Sequence, residues 1–116
     1  MTTTKSEETL QDRIEAWQAC VGPGWSKLVK KLIIEVEALG GSVHDVKEKF
    51  GGLRSSCSAP EATADEIFSL EDSLEAESLR ICEECGAPGA PRPGGWIKTL
   101  CEGCYELDRR PHGISS

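Results

Sequence analysis

A chain of 116 residues with 38% apolar and 5% aromatic content can bury one modest core, so it reads as one domain or a small domain with a metal-stapled appendage. Its 20 acidic and 13 basic residues give a formal charge of −7, which argues against non-specific polyanion binding, because such affinity rests on Lys and Arg neutralising phosphates. The polar start Met1-Thr-Thr-Thr-Lys-Ser-Glu-Glu lacks an apolar signal region, and the longest apolar run, Leu32-Ile33-Ile34, is too short for a bilayer, so a cytoplasmic setting with no membrane role is expected.

Thr4-x-x-Glu7 has the form of a capping box, and Leu10, Ile14, Trp17 and Val21 follow at helical spacing. A first helix is predicted over about residues 6–20, stopped by Gly22-Pro23-Gly24. Trp25, Leu28, Val29, Leu32, Ile33, Val36 and Leu39 then fall on one face of a second helix, 25–39, with Lys27, Lys30, Lys31, Glu35 and Glu37 opposite and Gly40-Gly41 as its left-handed cap. This stripe predicts the main core helix. From Ser42 to Ser58 the helical period is lost. Val43–Phe50 and Leu53–Cys57 flank Gly51-Gly52 and predict an antiparallel hairpin whose first strand, polar apart from Val46 and Phe50, lies at an edge.

Thr63-x-x-Glu66 is a second capping-box pattern and opens a third helix to about Arg80, with Ile67, Leu70, Leu74 and Ile81 facing inward. From Glu61 to Glu77 there are seven acidic residues and no basic one. Acids in the first turn suit the helix dipole, whereas Glu75 and Glu77 do not. The acidic face is either solvated or a contact for a basic partner, with Glu66, Glu71, Asp72 and Glu75 as its candidate residues.

The strongest chemical signal follows: Cys82-Glu-Glu-Cys85, fifteen residues, then Cys101-Glu-Gly-Cys104. A two-residue gap lets both thiolates of a tight turn face one ion, and a second such pair completes a tetrahedron. The expected cofactor is one structural Zn²⁺, held by Cys82, Cys85, Cys101 and Cys104. Four thiolates also suit an iron–sulfur cluster and a single pair suits a redox dithiol, but two matched pairs favour zinc. His112 stands eight positions beyond Cys104 and is not needed to complete the set. Gly86 permits the turn that aims backbone N–H groups at the sulfurs. Ala87–Gly95, with three prolines and three glycines, predicts a loop, Trp96–Leu100 a strand, and the segment from Gly103 a helix ended by Pro111. A knuckle, a strand pair and a second ligand pair at a helix start describe a treble clef, with a zinc ribbon as the alternative. Cys20 and Cys57 lie outside the set and are expected to be small buried apolar residues, not a disulfide.

No catalytic constellation stands out. Zinc deaminases need His-x-Glu and an open metal position, and His44-Asp45-Val46 lacks the glutamate. HNH-type nucleases need histidines within the finger, and none lies between Cys82 and Cys104. The chain is therefore expected not to be an enzyme. Lys47, Lys49 and Arg54, together with Arg92, Lys98, Arg109 and Arg110, are the cations able to gather near the hairpin and the finger. Trp96, beside Gly94-Gly95, either covers the metal site or offers a stacking or hot-spot ring, and covering is favoured.

Val46-Lys-Glu-Lys-Phe-Gly-Gly-Leu-Arg54, Cys82-Glu-Glu-Cys-Gly-Ala-Pro-Gly89 and Gly95-Trp-Ile-Lys-Thr-Leu-Cys-Glu-Gly-Cys104 together resemble a family of small uncharacterised proteins of tailed bacteriophages and prophages, over roughly residues 22–105. Members usually carry aromatic residues after the Leu-Arg of the hairpin, where this chain has Ser55-Ser56-Cys57. The resemblance implies a bacterial cytosolic setting and a small accessory role, of the kind that binds and inhibits host machinery such as a defence or transcription complex. The expected fold is α+β: an N-terminal helix pair, an antiparallel β-hairpin and a third helix in residues 1–81, a four-cysteine zinc module of treble-clef or zinc-ribbon form in 82–110, and a tail in 111–116. The expected partner is a host protein, met through Glu66, Glu71, Asp72 and Glu75 or through the hairpin around Lys47, Lys49 and Arg54. A nucleic-acid-binding regulator using Lys47, Lys49, Arg54 and Trp96 is the alternative.

Overall fold

The computed structural model describes residues 8–94 and 96–109, Arg109 by its backbone alone. Among these residues the chain is α+β, with four helices and two antiparallel strand pairs. In order they are α1 (Leu10–Gln18), α2 (Ser26–Ala38), β1 (Ser42–Lys49), β2 (Gly52–Ser58), α3 (Ala64–Ser78), β3 (Ala90–Arg92), β4 (Lys98–Leu100) and α4 (Glu102–Arg109). No helix among them is long and apolar enough to cross a membrane.

The second helix is the centre of the core, as its stripe requires. Trp25, Leu28, Val29, Leu32, Ile33 and Val36 are buried and meet Ile14 of α1, Val46 and Leu53 of the hairpin, and Ile67 and Leu74 of α3. The Trp25 indole N–H, which needs a partner once buried, donates to the Ile81 carbonyl at 2.9 Å. Gly40 N–H bonds to the Glu37 carbonyl and Gly41 N–H to that of Val36, which is the Schellman arrangement expected of Gly40-Gly41. Arg13 of α1 forks onto both carboxylate oxygens of Glu37 at 2.7 Å and ties the helix pair together.

Thr4 and Glu7, read as a first capping box, lie outside the described residues; α1 opens with a box formed by Thr9 and Asp12. The second box needs correction. Thr63 does precede α3, but its side chain caps nothing. The hydroxyl donates to the Leu39 carbonyl at 2.7 Å, and so spends itself on the end of α2.

The hairpin pairs Lys49 with Gly52 and Lys47 with Arg54, with a bulge at His44. Its two-residue turn is therefore Phe50-Gly51, one position earlier than Gly51-Gly52. Both turn residues have positive φ, 54° and 82°, as a type I′ turn demands. Phe50 consequently leaves the strand face expected for it and stands 67% exposed.

The α3 helix covers the edge of β2 that β1 leaves open. Leu53 N–H donates to the wholly buried Ser78 hydroxyl at 2.8 Å, and Ser55 Oγ donates to Glu71 at 2.8 Å. Arg54 Nε lies 2.9 Å from a Glu75 carboxylate oxygen, off the hydrogen-bonding axis, so the contact is an ion pair only.

Candidate metal centre

The four cysteines come from two local structures that fold for independent reasons. In the first, Ile81 and Pro88 form a bridge, Cys82 N–H donates to Ala87 O at 2.7 Å, and Gly86 N–H returns to Cys82 O at 2.9 Å. This closed turn aims the Cys82 and Cys85 side chains at one point. In the second, β4 delivers Cys101 to the start of α4 and Cys104 sits in its first turn. The Cys104 N–H approaches Cys101 Sγ at 3.4 Å across the first turn of α4. The knuckle, the β3–β4 pair and the second ligand pair at the helix start give the treble-clef order. Within the predicted loop 87–95, Ala90–Arg92 forms β3. Pro111 and His112, read as a helix stop and a spare ligand, lie outside the described residues.

All four sulfurs lie within 4.8 Å of one another, and Cys85 Sγ and Cys101 Sγ are 3.6 Å apart. An ion bonded to four sulfurs at about 2.3 Å sets them roughly 3.8 Å apart, so the cluster fits a single tetrahedral ion. Its electrostatics fit a cation too. Burial pushes the Cys82 thiol up, but backbone amides of Cys85, Cys101 and Glu84 outweigh it and bring it down to about 7. The neighbouring Cys101 and Cys82 sulfurs push Cys104 up to about 12. Four thiolates this close repel one another, and a divalent ion removes that penalty.

The cage is pinned to the rest of the molecule on two sides. Gly24 N–H donates to Glu83 O at 2.8 Å, and a Cβ on Gly24 would collide with the Cys82 carbonyl, so this glycine serves a close approach as well as a helix stop. Glu83 points inward and is 7% exposed. Its carboxylate accepts Thr99 N–H at 3.0 Å, and burial raises its pKa. Thr99, wholly buried on β4, donates its hydroxyl to the Gly51 carbonyl at 2.6 Å. The hairpin turn is thereby fastened to the strand that ends at Cys101.

The other candidate residues fall into separate places. Glu71 and Glu75 are half-buried and engaged with the hairpin, while Glu66 and Asp72 remain exposed on α3 beside Phe68, which is 51% exposed. Lys47, Lys49 and Arg54 share a shallow depression with Asp45, Ser55 and Ser56. Arg92 and Lys98 do not join them: Arg92 lies over the Tyr105 ring at 4.6 Å, and Lys98 pairs with Asp108 at 3.2 Å. Arg110 lies outside the described residues.

Two readings are overturned. Trp96 does not cover the metal site. It is 73% exposed, because the chain between Gly94 and β4 carries it out to the side of the hairpin turn, where it lines a cleft with Phe50, Lys49 and Ile97. Cys20 is exposed near the end of α1, since that helix stops at Gln18 and turns away from the core. Cys57 is half-buried, and burial with the adjacent Glu71 carboxylate raises its thiol to about 12. Sequence reasoning missed the Phe50–Trp96 pairing. The available signal was that Lys49 and Gly52 can pair across the shortest turn, which forces Phe50 into the loop. No family model, no curated protein and no solved structure matches this chain.

Proposed function

We propose that this chain is a zinc-stabilised, non-enzymatic accessory protein of phage or prophage type that acts in the bacterial cytosol by binding, and inhibiting, a host protein. The observation that carries the binding reading is a division of labour. Four protein sulfurs suffice to fill every position of a tetrahedral ion, while two large aromatic side chains, Phe50 and Trp96, are held in solvent. A closed site leaves no position for substrate and serves as scaffold. Exposed aromatic surface is what protein contacts use. Zinc is favoured by the all-sulfur donor set and the tetrahedral fit. The phage setting and the host target rest on the resemblance of the Val46–Arg54, Cys82–Gly89 and Gly95–Cys104 segments.

The test is affinity capture from bacterial lysate with the zinc-loaded chain, followed by titration of the purified partner. A saturable one-to-one complex is expected. Retention of nothing beyond what an acidic protein of equal charge retains would contradict the proposal.

A second reading, a nucleic-acid-binding regulator, is favoured by the shared depression of Lys47, Lys49 and Arg54 next to Trp96. Against it stand the charge of −7 and the engagement of Arg54 by Glu75. It requires binding to single- or double-stranded oligonucleotides at about 50 mM salt, where phosphate contacts are strongest.

A further inference from the structure

We propose that the cleft between the Phe50-Gly51 turn and the chain leading into β4 is a docking site for an acidic peptide segment of a partner protein, anchored by one aromatic side chain. This rests on the protein-binding reading above and names its surface and the chemistry of its partner.

Three observations converge on the cleft. The first is Phe50 itself. A bulky residue at φ 54° occupies a region that L side chains enter at a cost, and its ring is 67% exposed, so neither the turn nor the core gains from its identity. Strain held at a residue that stays mostly in solvent points to a use outside folding. The second is Trp96. It stands 73% exposed on the chain leading into β4, and Ile97 beside it lines the same hollow. Two exposed aromatic rings from separate elements face one hollow. That hollow measures about 240 Å³, below the roughly 300–1,000 Å³ of small-molecule pockets and suited to one inserted side chain.

The third is charge. Lys49 lies at the rim with its Nζ 5.6 Å from the Phe50 ring centre, and Lys47 is exposed on the same outward side of β1. Neither has an ion-pair partner among the described residues, whereas Arg54 next to them does. The one carboxylate at the rim, Glu48, accepts Gly51 N–H at 2.8 Å and is committed to the turn. Alternate strand residues lie about 6.7 Å apart. Lys47 and Lys49 thus match alternate acidic side chains of an extended segment. A long polyanion is a poorer match, because exposed Glu66 and Asp72 of α3 and the charge of −7 repel it beyond the cleft.

The cleft also depends on the cage. The buried Thr99 hydroxyl holds the Gly51 carbonyl, so one wall is positioned by the strand that leads into Cys101.

The experiment is selection of a randomised displayed peptide library on the zinc-loaded full chain. Enriched peptides are then measured by fluorescence anisotropy against wild type, Phe50→Asn, Trp96→Ala and Lys47→Glu/Lys49→Glu. Asn accepts the left-handed turn position, so Phe50→Asn removes the ring and keeps the hairpin, with metal content and circular dichroism as checks. The expected result is a consensus of one aromatic flanked by Asp or Glu, weakened about tenfold or more by each variant. No enrichment, a basic consensus, or binding by the two aromatic variants as tight as that of wild type overturns the proposal. So does preferential binding of oligothymidylate, or self-association in ultracentrifugation that Phe50→Asn abolishes, since these assign the cleft to nucleic acid or to a second copy. A host protein held equally by wild type and variants leaves the protein-binding reading standing and removes this cleft from it. Recovery of no host protein removes the broader reading.

Discussion

Phe50 and Ser78 show how single side chains divide between holding the molecule and leaving it incomplete. At φ 54° Phe50 carries strain that Asn or Gly would not. Phe50→Asn should therefore raise stability by about 1 kcal/mol, read as an increased urea midpoint at unchanged slope. A fall in the midpoint would show that the ring contributes to the fold. Ser78 does the opposite work. Wholly buried, it accepts Leu53 N–H and donates to Glu75 O at 2.6 Å. Ser78→Ala orphans a buried N–H and should cost about 1–3 kcal/mol. Ser78→Ala unfolding at the wild-type midpoint would mean that another group satisfies Leu53. Cys57 sets a pH dependence. Its thiol titrates near 12 in the folded chain against an ordinary 9. Below pH 9 both states keep the proton and its contribution to stability is fully present. Between 9 and about 12 the unfolded chain loses the proton first, the folded chain holds more protons, and stability falls as pH rises. Cys57→Ala should flatten that alkaline decline, and parallel stability curves for the two proteins over this range would rule it out.

At the scale of elements, the hairpin is a connector between α3 and the cysteine module. Its open edge is closed by Ser78, Glu71 and Glu75, and its turn is closed by Thr99. Thr99→Val keeps the shape, removes the donor to Gly51 O, and should cost about 1–3 kcal/mol. Amide exchange should then quicken at Gly51 and Gly52 more than in α2. Uniform quickening would show that the turn and the module are not separately coupled. This connector was the part of the fold least legible in sequence. The α2 stripe from Trp25 to Leu39 was readable because a buried face repeats at the helical period. The four cysteines were readable because ligand spacing is local. The contacts of Glu71, Glu75, Thr63 and Glu83 were not, because a polar residue that looks solvated in a linear pattern is claimed by a partner sixteen or more positions away. The acidic run from Glu61 to Glu77 looked like one face, yet Glu71 and Glu75 turn to the hairpin while Glu66 and Asp72 stay in solvent.

For the whole molecule, the cage and the core are a single interlocked unit. Trp25, buried at the head of α2, donates to Ile81, and Gly24 donates to Glu83, so both neighbours of Cys82 are held by the helical layer. In so small a chain an ion in the cage contributes folding free energy beyond the module itself. The most direct measurement is hydrogen exchange of the backbone amides and the Trp25 indole N–H during titration of the metal-stripped chain with Zn²⁺. Protection should rise together across Ile81–Tyr105 and at the indole, and saturate at one equivalent. Protection indifferent to the metal, or confined to the cysteines while the Trp25 indole stays unchanged, would contradict a scaffold that the ion and the core build jointly.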